Sequence, residues 1–511
     1  MNLFAHPGPR WFNIAAHRPF VEDLAAGLLA EFGGESPEAL ADCTVLTPTR
    51  RGARTLADAF VRAGGGRAVL LPQILALGDL DEGEPPFEPG DLALDLPPAV
   101  APLRRRFELA RLVVAHQDLF ERTLDAAAAL ELADALAAFL DSMQIEEVAD
   151  AGRLDALVEG DLAKHWLRSA RFLRIATEAW PARLAELGLM DVTERRAALL
   201  RALAARWRAE GPTRPLIAAG STGSAPATAD LLRVVAEAPL GAVVLPGLDT
   251  DLADDAWEKI TEGHPQRTLQ LLLRRAGIDR DAVRPWPSPE TTAQSLRGRS
   301  RRRVINEALR PAEATGDWVQ VIESLREEGG KAGVDPILEG LEGLSVLTAR
   351  TEEDAAAAAA VLLREALETP ARTAALVTPD MALARRVSAR LARWGVAADS
   401  SAGVSLAATA PGVLAALTAQ AAADPLSPTV LLSILKHPLV RLGRDAEALS
   451  KAARTLERRG LRGPRPASWE AVREKLDQDE AVSLARDLEA ALALAAFPYL
   501  DGPAGAGEAA R

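Results

Sequence analysis

Short runs rich in apolar and β-branched residues punctuate the chain at Cys43–Pro48, Pro215–Ser221, Gly241–Gly247, Leu344–Arg350 and Thr373–Pro379. Near-continuous apolar runs of this length predict parallel strands buried on both faces, since a strand with one wet face would alternate. Most of them lead into helical spacing. After Thr47, residues Ala53, Leu56, Phe60 and Val61 share a face; after Thr378, residues Leu383, Val387, Leu391 and Trp394 do so. Trp11–Ala16 repeats the pattern, with Pro19 at a helix start followed by Phe20, Leu24 and Leu28. This alternation predicts an α/β fold.

Two of these units look alike. Thr47-Pro48 and Thr378-Pro379 each stand at a strand end, and each first Thr is followed 17 residues later by a glycine, Gly64 and Gly395. The match predicts two related lobes. The first spans 1–102 and 210–285, interrupted at 103–209 by a segment of helical period. There Leu132, Leu136, Phe139, Leu140 and Met143 form one stripe, Trp166, Ala170, Leu173 and Thr177 a second, and Leu199, Leu203 and Trp207 a third. Residues 78–102 are acidic and proline-rich, as loops are, and 286–340 reads as a basic linker. A second lobe is expected at 341–425, then the start of another helical insertion at 426–511 with a small-residue tail, Gly502–Arg511.

The length of 511 residues fits about three domains at roughly 150 residues each. A single cysteine, Cys43, excludes an internal disulfide and a cysteine-ligated cluster within the chain. With no basic-then-apolar leader and no long uncharged apolar stretch, a cytoplasmic location is expected, without membrane contact. The net charge of −13 conceals local asymmetry, because only six of the 59 basic residues are lysine. The guanidinium fork suits phosphate better than an ammonium does, although joint Arg and Ala excess is also what a GC-rich genome produces.

Several chemistries are excluded by motif. The only Gly-Lys pair, Gly330-Lys331, lacks both the upstream glycine and the following hydroxyl of a phosphate-wrapping loop. None of the six lysines follows an acidic residue at the Asp/Glu-x-Lys spacing of metal-dependent nucleases. His6, His17, His116, His165, His264 and His437 contain no i, i+4 pair for a metal. Gly220-Ser221-Thr222-Gly223 misses the spacing of a nucleophile elbow, but a small hydroxyl-bearing loop at a strand end can hold a phosphate. Arginines cluster at Arg50, Arg51 and Arg54, at Arg297, Arg299, Arg301, Arg302 and Arg303, and at Arg385, Arg386, Arg390 and Arg393. Such patches can follow a nucleic-acid backbone, or simply face solvent.

The segments Ala41–Phe60, Pro215–Asp249, Ala374–Gly403 and Leu435–Val440 together resemble the AddB family, subunits of the AddAB helicase–nucleases, in its alphaproteobacterial form. The resemblance implies two RecA-like lobes of the superfamily 1 helicase kind, with inserted helical domains. It implies a role in double-strand break repair and homologous recombination beside an AddA motor, which would carry the ATP and magnesium; no cofactor is expected on this chain. Members of the family continue to a C-terminal nuclease domain, so the chain reads as the N-terminal half. Where such helicases hold their phosphate loop this sequence has Ala16-His17-Arg18-Pro19, and where they hold an Asp-Glu pair it has Ala219-Gly220. The expectation is therefore a helicase-like subunit without catalytic residues of its own. Its DNA-contacting residues would be Thr47, Pro48, Thr49, Arg50 and Arg51, with Ser221 and Thr222, and, on the second lobe, the turn of Thr378, Pro379 and Asp380. Two alternatives stand beside it: a fragment whose catalysis lies beyond residue 511, and an AddA-docking module that touches no DNA.

Overall fold

The computed structural model describes residues 3–5, 8–33, 37–66, 68–77, 96–120, 123–148, 172–287, 292–316, 318–330 and 335–493. They fall into two compact units, Met1–Ser345 and Val346–Arg511. Lys331, His6, His165, Trp166, Ala170, most of the acidic loop and the Gly502–Arg511 tail lie outside the described residues.

The first unit is built on six parallel strands: β1 (Trp11–Ile14), β2 (Thr44–Thr47), β3 (Gln73–Ala76), β4 (Leu216–Ala219), β5 (Gly241–Pro246) and β6 (Arg284–Pro285). Their spatial order is β3-β2-β4-β5-β1-β6. Side chains alternate between two cores, as the pleat requires. Trp11, Leu46, Leu216, Ala218, Val243 and Leu245 point to one, and Phe12, Ile14, Val45, Ile217, Ala219 and Val244 to the other. Helices α1 (Phe20–Phe32) and α3 (Arg50–Ala63), flanking the short α2 (Pro37–Ala41), close the second face through Leu24, Leu28, Leu56 and Phe60. Val61, expected in the α3 stripe, is exposed, because it lies one residue around the helix from Phe60. The two edge strands β3 and β6 went unanticipated; β6 is two residues long, too short for a periodic signal.

Between β3 and β4 the described residues form α4 (Pro102–Ala115), α5 (Ala126–Ile145), a π-helical turn leading into α6 (Trp180–Leu187), and α7 (Val192–Glu210). Their core gathers Leu109, Val113, Leu136, Leu140, Ile175 and Trp180. A buried carboxylate, Asp191, ties it together by accepting from Trp180 Nε1 at 2.7 Å and Arg105 Nε at 3.2 Å. Helix α7 belongs to the sheet as much as to the insertion, since Leu200, Leu203 and Ala204 enter the first core beside α8 (Pro226–Glu237). That core is completed by α9 (Asp254–Glu258) and α10 (Arg267–Ala276).

The expected linker at 286–340 contains ordered helices instead: α11 (Thr292–Ala308), α12 (Trp318–Gly330) and α13 (Pro336–Leu341). Helices α11 and α13 approach so closely that a Cβ on Gly340 would lie 2.8 Å from the Ser300 carbonyl oxygen. Two of the five arginines in the basic run, Arg297 and Arg301, find acceptors on or just after α13.

In the second unit, α14 (Glu352–Ala366) and α15 (Met381–Ala392) pack through Ala356, Ala360, Val387 and Leu391. The strands expected at Leu344–Arg350 and Thr373–Pro379 do not form: among the described residues neither run joins a sheet. Val346 and Val377 are 89% and 94% exposed. An apolar run becomes a strand only where neighbouring strands take its backbone hydrogen bonds, and none is supplied here. Trp394, expected on the buried face of α15, lies beyond the helix end and is half exposed. The remainder is helical, α16 (Ala410–Ala423) to α17 (Pro428–Leu435), α18 (Ala446–Thr455), α19 (Trp469–Glu474) and α20 (Asp479–Ala493), around Leu431, Leu435, Leu456 and Leu484. No described helix is long and apolar enough to cross a membrane.

Candidate nucleic-acid and anion interface

The strands are parallel, so the loops that leave their C-terminal ends share one edge of the sheet. Strands β2 and β4 are neighbours, which places Thr47–Arg51 beside Gly220–Thr222. The two loops touch: a Cβ on Gly220, whose φ is +80°, would lie 3.3 Å from the Phe20 ring and 3.6 Å from Pro48 Cδ. Thr47 is buried, and its hydroxyl oxygen lies 3.2 Å from the Thr49 carbonyl and 3.3 Å from that of Leu75, so it anchors the loop. Pro48 then turns the chain outward. Thr49 caps α3, accepting from the Gly52 N–H at 3.1 Å. Arg50 and Arg51 occupy the first, exposed turn of that helix. In the adjoining loop Ser221 Oγ accepts from the Gly223 N–H at 3.3 Å, and Thr222 is half-buried. Gly223 must be glycine, since its φ is +57° and a Cβ would meet Leu272 at 2.6 Å.

The second unit repeats this turn. Thr378 Oγ1 accepts from the Asp380 N–H at 3.0 Å, and Asp380 caps α15 by accepting from Ala382 and Leu383 at 2.7 and 3.2 Å. Asp380 lies two residues past Thr378, as Thr49 lies two residues past Thr47, and each caps the helix that follows. The arginines of α15 are largely committed: Arg386 pairs with Glu352 at 2.5 Å, and Arg390 pairs with Glu353.

A second feature of the first unit was not anticipated as a site. Strands β1 and β5 are adjacent, yet α1 after β1 covers one face while α10 after β5 covers the other. The chain therefore diverges between them, and in parallel sheets such a divergence opens a crevice at the strand C-termini. A cavity of about 420 Å³ lies there, walled by Asn13, His17, Arg18, Asp23, Arg280, Asp281, Trp286, Arg299 and Arg302 among others. Asn13 holds its mouth in register, donating to the Leu248 carbonyl at 2.9 Å and accepting from the Leu248 N–H at 2.8 Å. Asp249 stiffens the same loop by accepting from the Asp251 and Leu252 N–H groups at 2.8 and 3.0 Å. Trp286 forms one wall, with its indole N–H donating to the Asp23 carbonyl at 3.0 Å, over Gly27, where no Cβ would fit.

Helix α11 brings the basic run to this cavity. A Cβ on Gly298 would lie 2.8 Å from His17 Cβ, so glycine alone allows the approach. Positions 297 and 301 face α13, where Arg297 meets Glu342 at 2.7 Å and Arg301 Nε donates to the Gly340 carbonyl at 2.8 Å. Ser300 donates to Glu339 at 2.5 Å from the same side. Positions 299 and 302 line the cavity. Burial, reinforced by the charges of Arg302, Arg18 and Arg299, holds the His17 imidazole below its ordinary pKa against the opposing pull of Asp251. Residues His17 and Arg302 carried a legible signal, a basic pair after a strand and a run of arginines; their convergence did not. Among the described residues no group of three or more His, Cys, Asp or Glu side chains is placed to hold a metal ion. No family model matches the chain, and no curated protein matches it in sequence.

Proposed function

We propose that this chain is a helicase-like subunit of an AddAB-type helicase–nuclease, one that binds a single DNA strand and an AddA-like motor during resection of double-strand breaks. In this reading residues 1–102 with 210–285 form one RecA-like lobe and 341–425 the other, ATP and magnesium belong to the motor partner, and the chain itself guides DNA. The observation that carries the DNA part is the adjacency of two loops on one sheet edge. Thr47–Arg51 and Gly220–Thr222 meet at Pro48 and Gly220, presenting two exposed arginines at a helix N-terminus beside a loop of small hydroxyl residues. Backbone N–H groups at a helix start and guanidinium groups both donate to phosphate oxygens without reading sequence, which suits a strand passing over the edge. The Thr378–Asp380 turn would serve the second lobe in the same way.

The test is fluorescence anisotropy of a labelled single-stranded oligonucleotide at several salt concentrations, comparing the chain with Arg50→Ala/Arg51→Ala. Two lost phosphate contacts should lower the slope of log affinity against log salt by about 1.4, at about 0.7 per phosphate. An unchanged affinity and slope would remove the first-lobe assignment. Co-purification with an AddA-like subunit tests the partner separately; capture without DNA binding would leave a docking module.

A further inference from the structure

The helical part of the second unit carries a face rich in cations. Between Lys436 and Lys475 eleven lysines and arginines stand against five carboxylates, in a chain whose net charge is −13. Helix α18 runs on into a π-helical turn, Leu456–Leu461, and the two bury Leu449, Ala452, Ala453, Leu456 and Leu461 on one side. Arg454 and Arg458 stand four residues apart on the exposed side, and Arg462, also exposed, follows at the same step as the chain leaves the turn. Among the described residues Arg458 and Arg462 have no hydrogen-bond or ion-pair partner, and Arg454 reaches only Ser450 of its own helix, at 3.4 Å. Two neighbours are matched: Lys436 meets Glu457 at 2.9 Å, and Arg459 meets Asp477 at 2.7 Å. Like charges four residues apart weaken a helix, so the row of arginines is held at a cost that an acidic partner would remove. The loop after the π turn leads to a cavity. Gly463 turns the chain with φ +102°, and Trp469, half-buried at the start of α19, lines a space of about 440 Å³ with Pro425 and Leu426. Arg465 and Arg473 line it too, braced by Asp424 and Glu489.

We propose that this face is a docking site for an acidic polypeptide segment that carries an apolar anchor residue. Carboxylates of the segment pair with Arg454, Arg458 and Arg462, since a guanidinium takes a carboxylate by two parallel hydrogen bonds. In an extended segment every second side chain returns to one face about 6.6 Å further on. That is close to the spacing of about 5–6 Å between side chains four apart on a helix, so alternate acids meet successive arginines. The anchor enters the cavity against Trp469, Pro425 and Leu426. Tryptophan and arginine are the residues that most often dominate the binding energy of a protein interface. A nucleic-acid strand suits the same charge less well. Proteins that hold a strand without reading it track the backbone in a groove and stack successive bases on several aromatics. Here the arginines stand on the outside of a helix, and Trp469 is the one aromatic among the lining residues. The cavity also contains the carboxylates of Glu470 and Glu489. A base would bring its phosphate toward them, whereas a peptide keeps its charge on the arginines and sends in an apolar side chain. The site lies wholly in the second unit and depends on neither loop of the proposed DNA edge.

Binding is measured on the full chain by fluorescence anisotropy. The probe is a fluorescein-labelled peptide, Gly-Glu-Asp-Glu-Asp-Glu-Gly-Pro-Phe. Saturable binding well below millimolar concentration, weakening as potassium chloride is added, is expected. Replacing the acids of the peptide by Gln and Asn should weaken binding about tenfold or more. Replacing its Phe by Ser should weaken it about fivefold, a change that reads the cavity without touching the fold. Arg458→Glu/Arg462→Glu should abolish binding; both side chains are exposed and without a partner among the described residues, so the fold is kept, which an unchanged melting temperature verifies. Arg458→Gln/Arg462→Gln, which relieves the repulsion along the helix and adds no charge, should weaken binding about tenfold. Arg50→Ala/Arg51→Ala should leave peptide binding unchanged, so that this site and the DNA edge fail separately. No binding at millimolar peptide, equal binding of the neutral or the Ser peptide, or binding undiminished in Arg458→Glu/Arg462→Glu would each overturn the proposal. So would an oligothymidylate of equal charge that displaces the peptide and loses about tenfold in affinity in the same variant, since the face would then be a nucleic-acid surface.

Discussion

Asn13 offers the sharpest test of how the sheet edge is held open. Its amide makes two hydrogen bonds to one residue, donating to the Leu248 carbonyl at 2.9 Å and accepting from the Leu248 N–H at 2.8 Å, across the gap between β1 and the loop after β5. Asn13 is 7% exposed and Leu248 fully buried, so water cannot take over either bond. Asn13→Leu preserves the approximate volume and removes both. Each orphaned buried backbone group costs about 1–3 kcal/mol, and the added apolar burial returns part of that, leaving a net loss of about 2–4 kcal/mol. The assay is urea unfolding followed by tryptophan fluorescence, to which Trp11, Trp257 and Trp286 of the same unit contribute. The midpoint should fall while the slope stays constant, since the surface exposed on unfolding is unchanged. Hydrogen exchange supplies a local readout: the Leu248 amide, protected in the parent, should exchange by local opening in the variant. A midpoint shift worth less than about 0.5 kcal/mol, with Leu248 still protected, would refute the reasoning and place the register of the crevice elsewhere.

Three further outcomes follow from buried groups. Cys43 is fully buried, and burial pushes its thiol up to about 12; it should resist a disulfide reagent at pH 8 in the native chain and react stoichiometrically in urea, whereas rapid native labelling would contradict its placement. Gly241→Ala would set a Cβ 1.9 Å from the Val235 carbonyl oxygen, so it should cost about 1–3 kcal/mol or more in thermal unfolding, despite alanine being the smaller of the usual strand substitutions. Burial holds both His17 and His264 below the ordinary histidine value; the unfolded chain therefore binds their protons first, and stability falls as pH drops below about 6.5, levelling off once the folded histidines protonate. His17→Gln should lose less stability between pH 7.5 and 5.5 than the parent, and a parallel pH dependence would show that His17 contributes nothing to it.

Much of the first unit could be read from residue patterns, because its strands are buried on both faces and its helices carry clear stripes. Val45 and Leu46, or Val243 and Val244, are apolar in succession since each neighbour enters a different core. The insertion was equally plain in Leu136 and Leu140. What failed were elements whose structure depends on partners. Leu344–Arg350 and Thr373–Pro379 have the composition of strands yet no ladder, and Arg284–Pro285 pairs with β1 with hardly any signal of its own. The run around Arg297–Arg303 reads as linker because its charge gives no apolar stripe; its order comes from acceptors on α13, nearly forty residues further along the chain.

The candidate residues divide along the same line. Thr47 to Arg51 and Ser221 to Thr222 are candidates legible in the sequence because strand-end loops with small or basic residues are local features, and local sterics and capping shape them: Thr49 caps its helix, and Gly220 and Gly223 take positive φ. That these loops lie side by side follows from β2 and β4 pairing, and that His17 meets Arg299 and Arg302 follows from Gly298 letting α11 approach. The sequence by itself determined β1, β2, β4 and β5 and the striped helices packed on them, since those choices are made over a few residues by periodicity and backbone sterics. Only the tertiary structure decided which loops share an edge and which charges lose their partners, because electrostatics and unsatisfied hydrogen bonds act over ångströms in space without regard to distance along the chain.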